Sequence, residues 1–298
     1  MHTANRISHF ATHGHFAGGN AARRLRLCAA IALLSVIESA PAREWSSVSA
    51  PTRGAPSAIG QTTGGCIAGA VPLPSDGEGY SVVHLSRNRY YGHPSLIRFV
   101  QGLGQAVADR RFGILQIGDL AQPRGGPMAY GHHSHQTGLD VDIWFNLLKG
   151  RLPSPNTDPW RDQVQTPSLL NGPGTGLDHS LWDHDHVEVL ELAARFPAVD
   201  RIFVNPVIKR ELCRSVRGNR AWLDKIRPWY GHDDHFHVRL HCPDDSLACV
   251  RQAEVPFGDG CGRALQWWLK QRPIRPPTRP AHPPRPVLPH ACYALLQD

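Results

Sequence analysis

The 298-residue chain has no apolar run long enough to cross a bilayer as a helix in its mature form. It contains no Ser-x-x-Lys, so the serine nucleophile that β-lactams acylate is missing. There is no Cys-x2-Cys pair, which argues against a cysteine zinc site. No glycine-rich segment has the spacing of a phosphate cradle, and no internal repeat is present. The body of the chain lacks a Lys/Arg run with interleaved aromatics, so nucleic acid is not an expected partner. The formal charge of +7 is modest, and residues 1–42, with four Arg and one Glu, supply part of it. Mild basicity of this kind suits an acidic polymer, and ordinary surface variation accounts for it equally well.

Histidine is abundant. Of 18 in the chain, fourteen lie after residue 80. His135 and Asp142 are seven residues apart, a spacing that fits a loop entering a strand. Leu139, Val141, Ile143 and Phe145 alternate with Asp140, Asp142 and Trp144, which puts Asp142 on the polar face of that strand. The alternation returns in 233–241: Phe236, Val238 and Leu240 point one way, and His235, His237, Arg239 and His241 the other. His135, Asp142 and His237 then make a three-ligand set with an open fourth position, the pattern of catalytic zinc. His235 shares the strand face with His237 and is the candidate for proton transfer. His232, three residues earlier, is placed to orient water or to donate to an oxyanion.

Export is expected. Arg23, Arg24 and Arg26 precede the apolar run Leu27 to Ile37, and Ala40-Pro41-Ala42 supplies a small-x-small cleavage site before Arg43. Setting aside Cys28 in that segment, six cysteines remain, an even number that implies disulfides with fifteen pairings open. The organisation expected is a signal peptide over 1–42, a flexible leader over 43–65, a single catalytic domain over 66–272 and a Pro-rich tail over 273–298. The spacing predicts helices over 94–112, 183–196, 206–214, 221–226 and 262–271, with strands over 112–118 and 201–204. Residues 147–181, rich in Pro, Gly, Asn and Asp, read as an extended loop. Pro273 to Pro289 holds eight prolines and reads as an extended tether.

The run Gly131-His132-His133-Ser134-His135-Gln136-Thr137-Gly138-Leu139-Asp140-Val141-Asp142-Ile143-Trp144 closely resembles the signature of penicillin-insensitive murein endopeptidases. Arg201 to Pro206, Arg227-Pro228-Trp229-Tyr230 and His232 to Pro243 resemble that family too, and the likeness covers nearly all of the chain after residue 60. It implies an α+β fold in which a small antiparallel sheet carries the zinc, flanked by helices and long loops and stapled by disulfides. It implies the pairings Cys66–Cys292, Cys213–Cys261 and Cys242–Cys249. It also implies a second zinc at a subunit contact, held by His132, Asp183 and His186, and hence a homodimer. The activity implied is hydrolysis of D-alanyl–diaminopimelyl crosslinks of peptidoglycan in the periplasm. The rivals are a zinc D-Ala-D-Ala carboxypeptidase and a non-catalytic wall-binding protein with a structural metal. Arg87 and Arg89 offer guanidinium groups for a substrate carboxylate, and His133, His184 and His241 are expected at the surface.

Overall fold

The computed structural model describes residues 40–150, 159–271 and 287–297. The expected signal peptide up to residue 39 and the proline-rich stretch 272–286 lie outside the described residues. The chain divides into units Met1–Ala40 and Pro41–Asp298, and the second is the one described below. Helix α1 (Ala40–Ser47) leads to the hairpin β1 (Ser57–Gln61) and β2 (Gly64–Ala68). Short strands β3 (Val71–Pro72), β4 (Asp76–Gly77), β5 (Tyr80–Val82) and β6 (Tyr91–Gly92) precede helix α2 (Pro94–Asp109). There follow β7 (Ile114–Ile117), β8 (Asp140–Leu148), α3 (Pro159–Asp162), α4 (His184–Arg195), β9 (Val199–Val204), α5 (Pro206–Ser215), β10 (Ile226–Pro228) and β11 (His235–Leu240). Helices α6 (Arg263–Lys270) and α7 (His290–Gln297) complete the order.

The fold is α+β, but its main sheet is neither small nor wholly antiparallel. It has seven strands in the order β10-β9-β11-β8-β7-β5-β4. The pairs β10–β9 and β5–β7 are parallel, and the others are antiparallel. Helix α2 lies in the crossover from β5 to β7 and α5 in that from β9 to β10, which is how the chain returns in parallel. Strands of two or three residues, such as β4 and β5, carry too few side chains for alternation to show in the sequence.

Alternation decides which face carries chemistry. Val141, Ile143 and Phe145 of β8 and Phe236, Val238 and Leu240 of β11 lie in one core with Leu96, Val100 and Leu103 of α2 and Leu190 and Ala193 of α4. Each large aliphatic side chain buried there contributes roughly 1.5 to 3 kcal/mol. Helix α2 begins with Pro94, and the ring of His93 accepts the Ser95 N–H, so its first turn is pre-set and capped. With the helices on one face, Asp140, Asp142, His235 and His237 are left on the other.

The segment 43–65 is not a loose leader. Trp45 is 1% exposed and packs with Ile59, Cys66, Leu288 and Cys292. Gly126, at φ 73, approaches the Trp45 ring so closely that a Cβ would meet it at 2.2 Å. The leader and the C-terminal helix thus support the turn that delivers the histidine loop. The disulfides are Cys66–Cys292, Cys213–Cys261 and Cys242–Cys249, the pairings that the resemblance implied.

Candidate metal centre

Strands β8 and β11 pair so that His237 stands opposite Asp142 and Arg239 opposite Asp140. His135 comes from the loop that runs into β8. Its backbone is left-handed, φ 66, a conformation that costs a non-glycine residue about 1 kcal/mol or more. The N–H of His135 donates to Asp140 Oδ2 at 3.3 Å, and its ring Nδ1 lies 3.0 Å from the Leu120 carbonyl. His232 beside the cluster is left-handed too, φ 51. Strain of this sort persists where packing and hydrogen bonds overdetermine the backbone, as at functional sites.

The hydrogen bonds fix the tautomers. A carbonyl only accepts, so the proton of His135 is on Nδ1 and Nε2 carries the lone pair. His237 donates from Nε2 to Asp140 Oδ1 at 2.7 Å, which leaves the lone pair on Nδ1. His135 Nε2 and His237 Nδ1 are 3.2 Å apart, and they lie 3.4 and 3.1 Å from Asp142 Oδ1. Ligands about 2.0–2.1 Å from a tetrahedral zinc are separated by about 3.3 Å. Asp142 Oδ1 is buried and has no hydrogen-bond partner. Three electron-pair donors therefore face one another with no proton between them, an arrangement that a cation satisfies.

His132 joins the same cluster. Its Nε2 is 2.9 Å from Asp119 Oδ2 and its Nδ1 3.4 Å from Asp142 Oδ2. His132, His135 and Asp142 form a metal-capable group, and His237 closes on the same carboxylate. His235 donates from Nδ1 to Asp234 Oδ1 at 2.5 Å and turns Nε2 toward Asp142 Oδ1 at 3.7 Å. Burial alone would lower the His235 imidazole, but the carboxylates of Asp142 and Asp234 outweigh it and lift it to about 8. Burial pushes His232 the other way, to about 4, helped by His237 and His235. The Nδ1 of His232 faces the Tyr230 carbonyl at 3.2 Å, so its proton is there and Nε2 can only accept.

Asp183 and His186 are elsewhere. Asp183 caps α4, and the two side chains form a reciprocal capping box. His186 Nε2 donates to the Phe145 carbonyl at 3.0 Å, and Nδ1 faces both the Asp183 N–H at 3.1 Å and the Asp183 Oδ1 at 2.7 Å. Both ring nitrogens are used within the chain, which leaves no lone pair for an ion, and His132 belongs to the first cluster. Asp183→Ala should therefore lower stability by about 1 kcal/mol, the worth of a cap, and leave metal content unchanged. Loss of one metal equivalent in that variant would show that these two residues hold an ion. Arg89 is buried against Asp119 at 2.8 Å, and the part-exposed Arg87 reaches the same carboxylate at 3.3 Å. His133, His184 and His241 are exposed, as expected.

Four contributors were not singled out from the sequence. Asp140, Asp119 and Asp234 orient His237, His132 and His235 respectively. Arg239 donates to Asp140 Oδ1 at 2.5 Å; burial alone would raise that carboxyl, but Arg239, His237 and His135 together outweigh it and hold it well below the usual range. Asp140 could have been suspected, since it shares a strand face with Asp142. Beside the cluster is a cavity of about 520 Å³, lined by His132, His232, His237, Phe203, Trp229 and Arg239 among others. Among the described residues no helix is long and apolar enough to cross a membrane.

Residues 58–297 match the family model for penicillin-insensitive murein endopeptidases. A penicillin-insensitive murein endopeptidase of Haemophilus influenzae is 41% identical over 281 residues, covering 90% of this chain and 93% of the relative. Its counterpart in Yersinia enterocolitica is 40% identical over 272 residues, covering 90% and 95%. That of Shigella sonnei is 42% identical over 271 residues, covering 91% and 97%.

Proposed function

Because the chain belongs to the penicillin-insensitive murein endopeptidase family, we propose that it is a zinc peptidase of the periplasm that cuts D-alanyl–meso-diaminopimelyl crosslinks in peptidoglycan. The convergence of the lone pairs of His135, His237 and Asp142 on one point carries the metal assignment. When bound, zinc supplies a Lewis acid for the scissile carbonyl and brings the pKa of a water towards about 7.

The chain's own residues do the rest. Asp140 and the Leu120 carbonyl hold the two ligand imidazoles in the tautomers that present lone pairs, the usual service of outer partners to metal-binding histidines. His235, anchored through Nδ1 on Asp234, keeps Nε2 free to take a proton from the attacking water and pass it to the leaving amine. His232 remains neutral and orients water by accepting a hydrogen bond at Nε2.

Crosslinked muropeptide dimers, incubated with the protein and resolved by mass, provide the test. Dimers should become monomers, the reaction should stop on chelation, and zinc should restore it. Release of free D-alanine alone would point to a carboxypeptidase. Complete absence of hydrolysis would leave a wall-binding protein with a structural metal, and insensitivity to chelation would remove the metal from the mechanism.

A further inference from the structure

Arg201 on β9 stands directly opposite Arg239 on β11, and both line the cavity beside the metal cluster. Like charges directly opposite on neighbouring strands destabilise a sheet. Neighbouring carboxylates offset this only in part. Arg201 Nε donates to Asp200 Oδ2 at 2.7 Å, and its Nη2 donates to the Ala253 carbonyl at 2.7 Å. Arg239 gives Nε to Asp140 Oδ1 at 2.5 Å and Nη1 to Gln252 at 3.2 Å. Among the described residues, Arg201 Nη1 and Arg239 Nη2 have no partner. The guanidinium carbon of Arg239 sits 5.3 Å from the centre of the Phe203 ring, and its bonds to Asp140 and Gln252 fix its plane. The result is a pair of rigidly held cations, each with one terminal nitrogen unpartnered among the described residues, at the wall of the cleft.

Resting on the endopeptidase reading above, we infer that Arg201 and Arg239 bind the free carboxylate on the carbon attached to the scissile nitrogen. In a D-alanyl–diaminopimelyl crosslink that carbon bears such a carboxylate. It lies roughly 3 to 4 Å from the carbonyl carbon under attack, by ordinary bond geometry. Arg239 is two residues beyond His237 on the same strand face, a step of about 7 Å. A long side chain reaching back along the strand can therefore meet that carboxylate while the carbonyl stands at the metal cluster. Guanidinium is the cation suited to the task, because its planar fork matches a carboxylate and it stays charged at any working pH. Two such groups also distinguish an acid from its amide, since an amide offers no charge and half the acceptor capacity.

The experiment compares two crosslinked dimers that differ at this one group, the acid form and the form in which that carboxylate is a carboxamide. The wild-type protein should cleave the acid form with kcat/KM about 10- to 100-fold higher, the range for a hydrogen-bonded charge. In Arg201→Gln the ratio should fall to within about threefold of unity, through a drop on the acid form. Arg201→Lys, which keeps the charge, should retain part of the preference. Equal wild-type rates on both dimers, or a ratio unchanged in Arg201→Gln, would overturn the clamp and leave the endopeptidase reading standing. Failure of the wild type to cut either dimer would remove both.

Discussion

Asp142→Ala should abolish dimer cleavage, by roughly 10³-fold or more, and abolish tight zinc binding with it. Asp142 is the one anionic member of the cluster, and its Oδ1 lies within 3.4 Å of both ligand nitrogens. Removing it leaves two neutral imidazoles, which hold a divalent ion far less well. The stability readout separates this role from a structural one. Without metal, the wild-type protein keeps a buried carboxylate oxygen that has no hydrogen-bond partner. Burial penalises that charge, but His135, His235 and His132 outweigh it and hold the carboxyl well below its usual range, so the zinc-induced shift, not the metal-free midpoint, separates the two roles. Adding zinc should raise the wild-type midpoint, because the ion binds only the folded form, and should leave that of the variant where it was. Stoichiometric zinc with normal turnover in Asp142→Ala would sink the assignment. A full zinc-induced shift in the variant would do the same.

Where the sequence was most informative, a physical period marked it. Strands β8 and β11 alternate apolar side chains, which join the core, with polar ones, so the period of two marks Asp142 and His237 although both faces are largely buried. Helices α2 and α4 showed through their apolar stripes for the same reason. The parallel strands that widen the sheet were not legible, because β5 and β10 have three residues each. The hairpin 57–68 was hidden by composition. Ser, Ala and Gly there read as a loop, yet Trp45 and the Cys66–Cys292 bridge bury it. Sequence proximity does not show which carboxylate of its own chain a loop histidine will meet. Asp119, thirteen positions earlier, meets His132 at 2.9 Å, while Asp183 and His186 satisfy each other. Arg87 and Arg89 likewise meet a carboxylate of the chain itself, that of Asp119.

Asp119→Ala should lower stability by about 3–5 kcal/mol at neutral pH, against a typical total of roughly 5–15 kcal/mol. The side chains of Asp119 and Arg89 are each 3% exposed and lie 2.8 Å apart. Truncation leaves the guanidinium buried with only the Tyr130 carbonyl at 3.1 Å and the Tyr130 ring, 4.2 Å from its carbon, as company. Breaking one side of a buried pair is costly because the remaining charge cannot return to water. Asp119→Asn keeps the shape without the charge and tests the sign through pH. Burial alone would raise the Asp119 carboxyl, but His132 and Arg89 outweigh it and hold it well below the usual carboxylate range. A depressed folded value means that the carboxylate's stabilisation is complete above the unfolded pKa of about 3.9 and is lost as pH falls through the folded value. The wild type's advantage over Asp119→Asn, measured by urea unfolding, should therefore be constant from about pH 7 to 5 and shrink below about pH 4. Because Asp119 also anchors His132, and its backbone carbonyl accepts the Asp142 N–H at 3.0 Å, activity should fall along with stability. A difference under about 1 kcal/mol at neutral pH, or an advantage that grows on acidification, would show that the Arg89–Asp119 pair is not what holds this wall of the site.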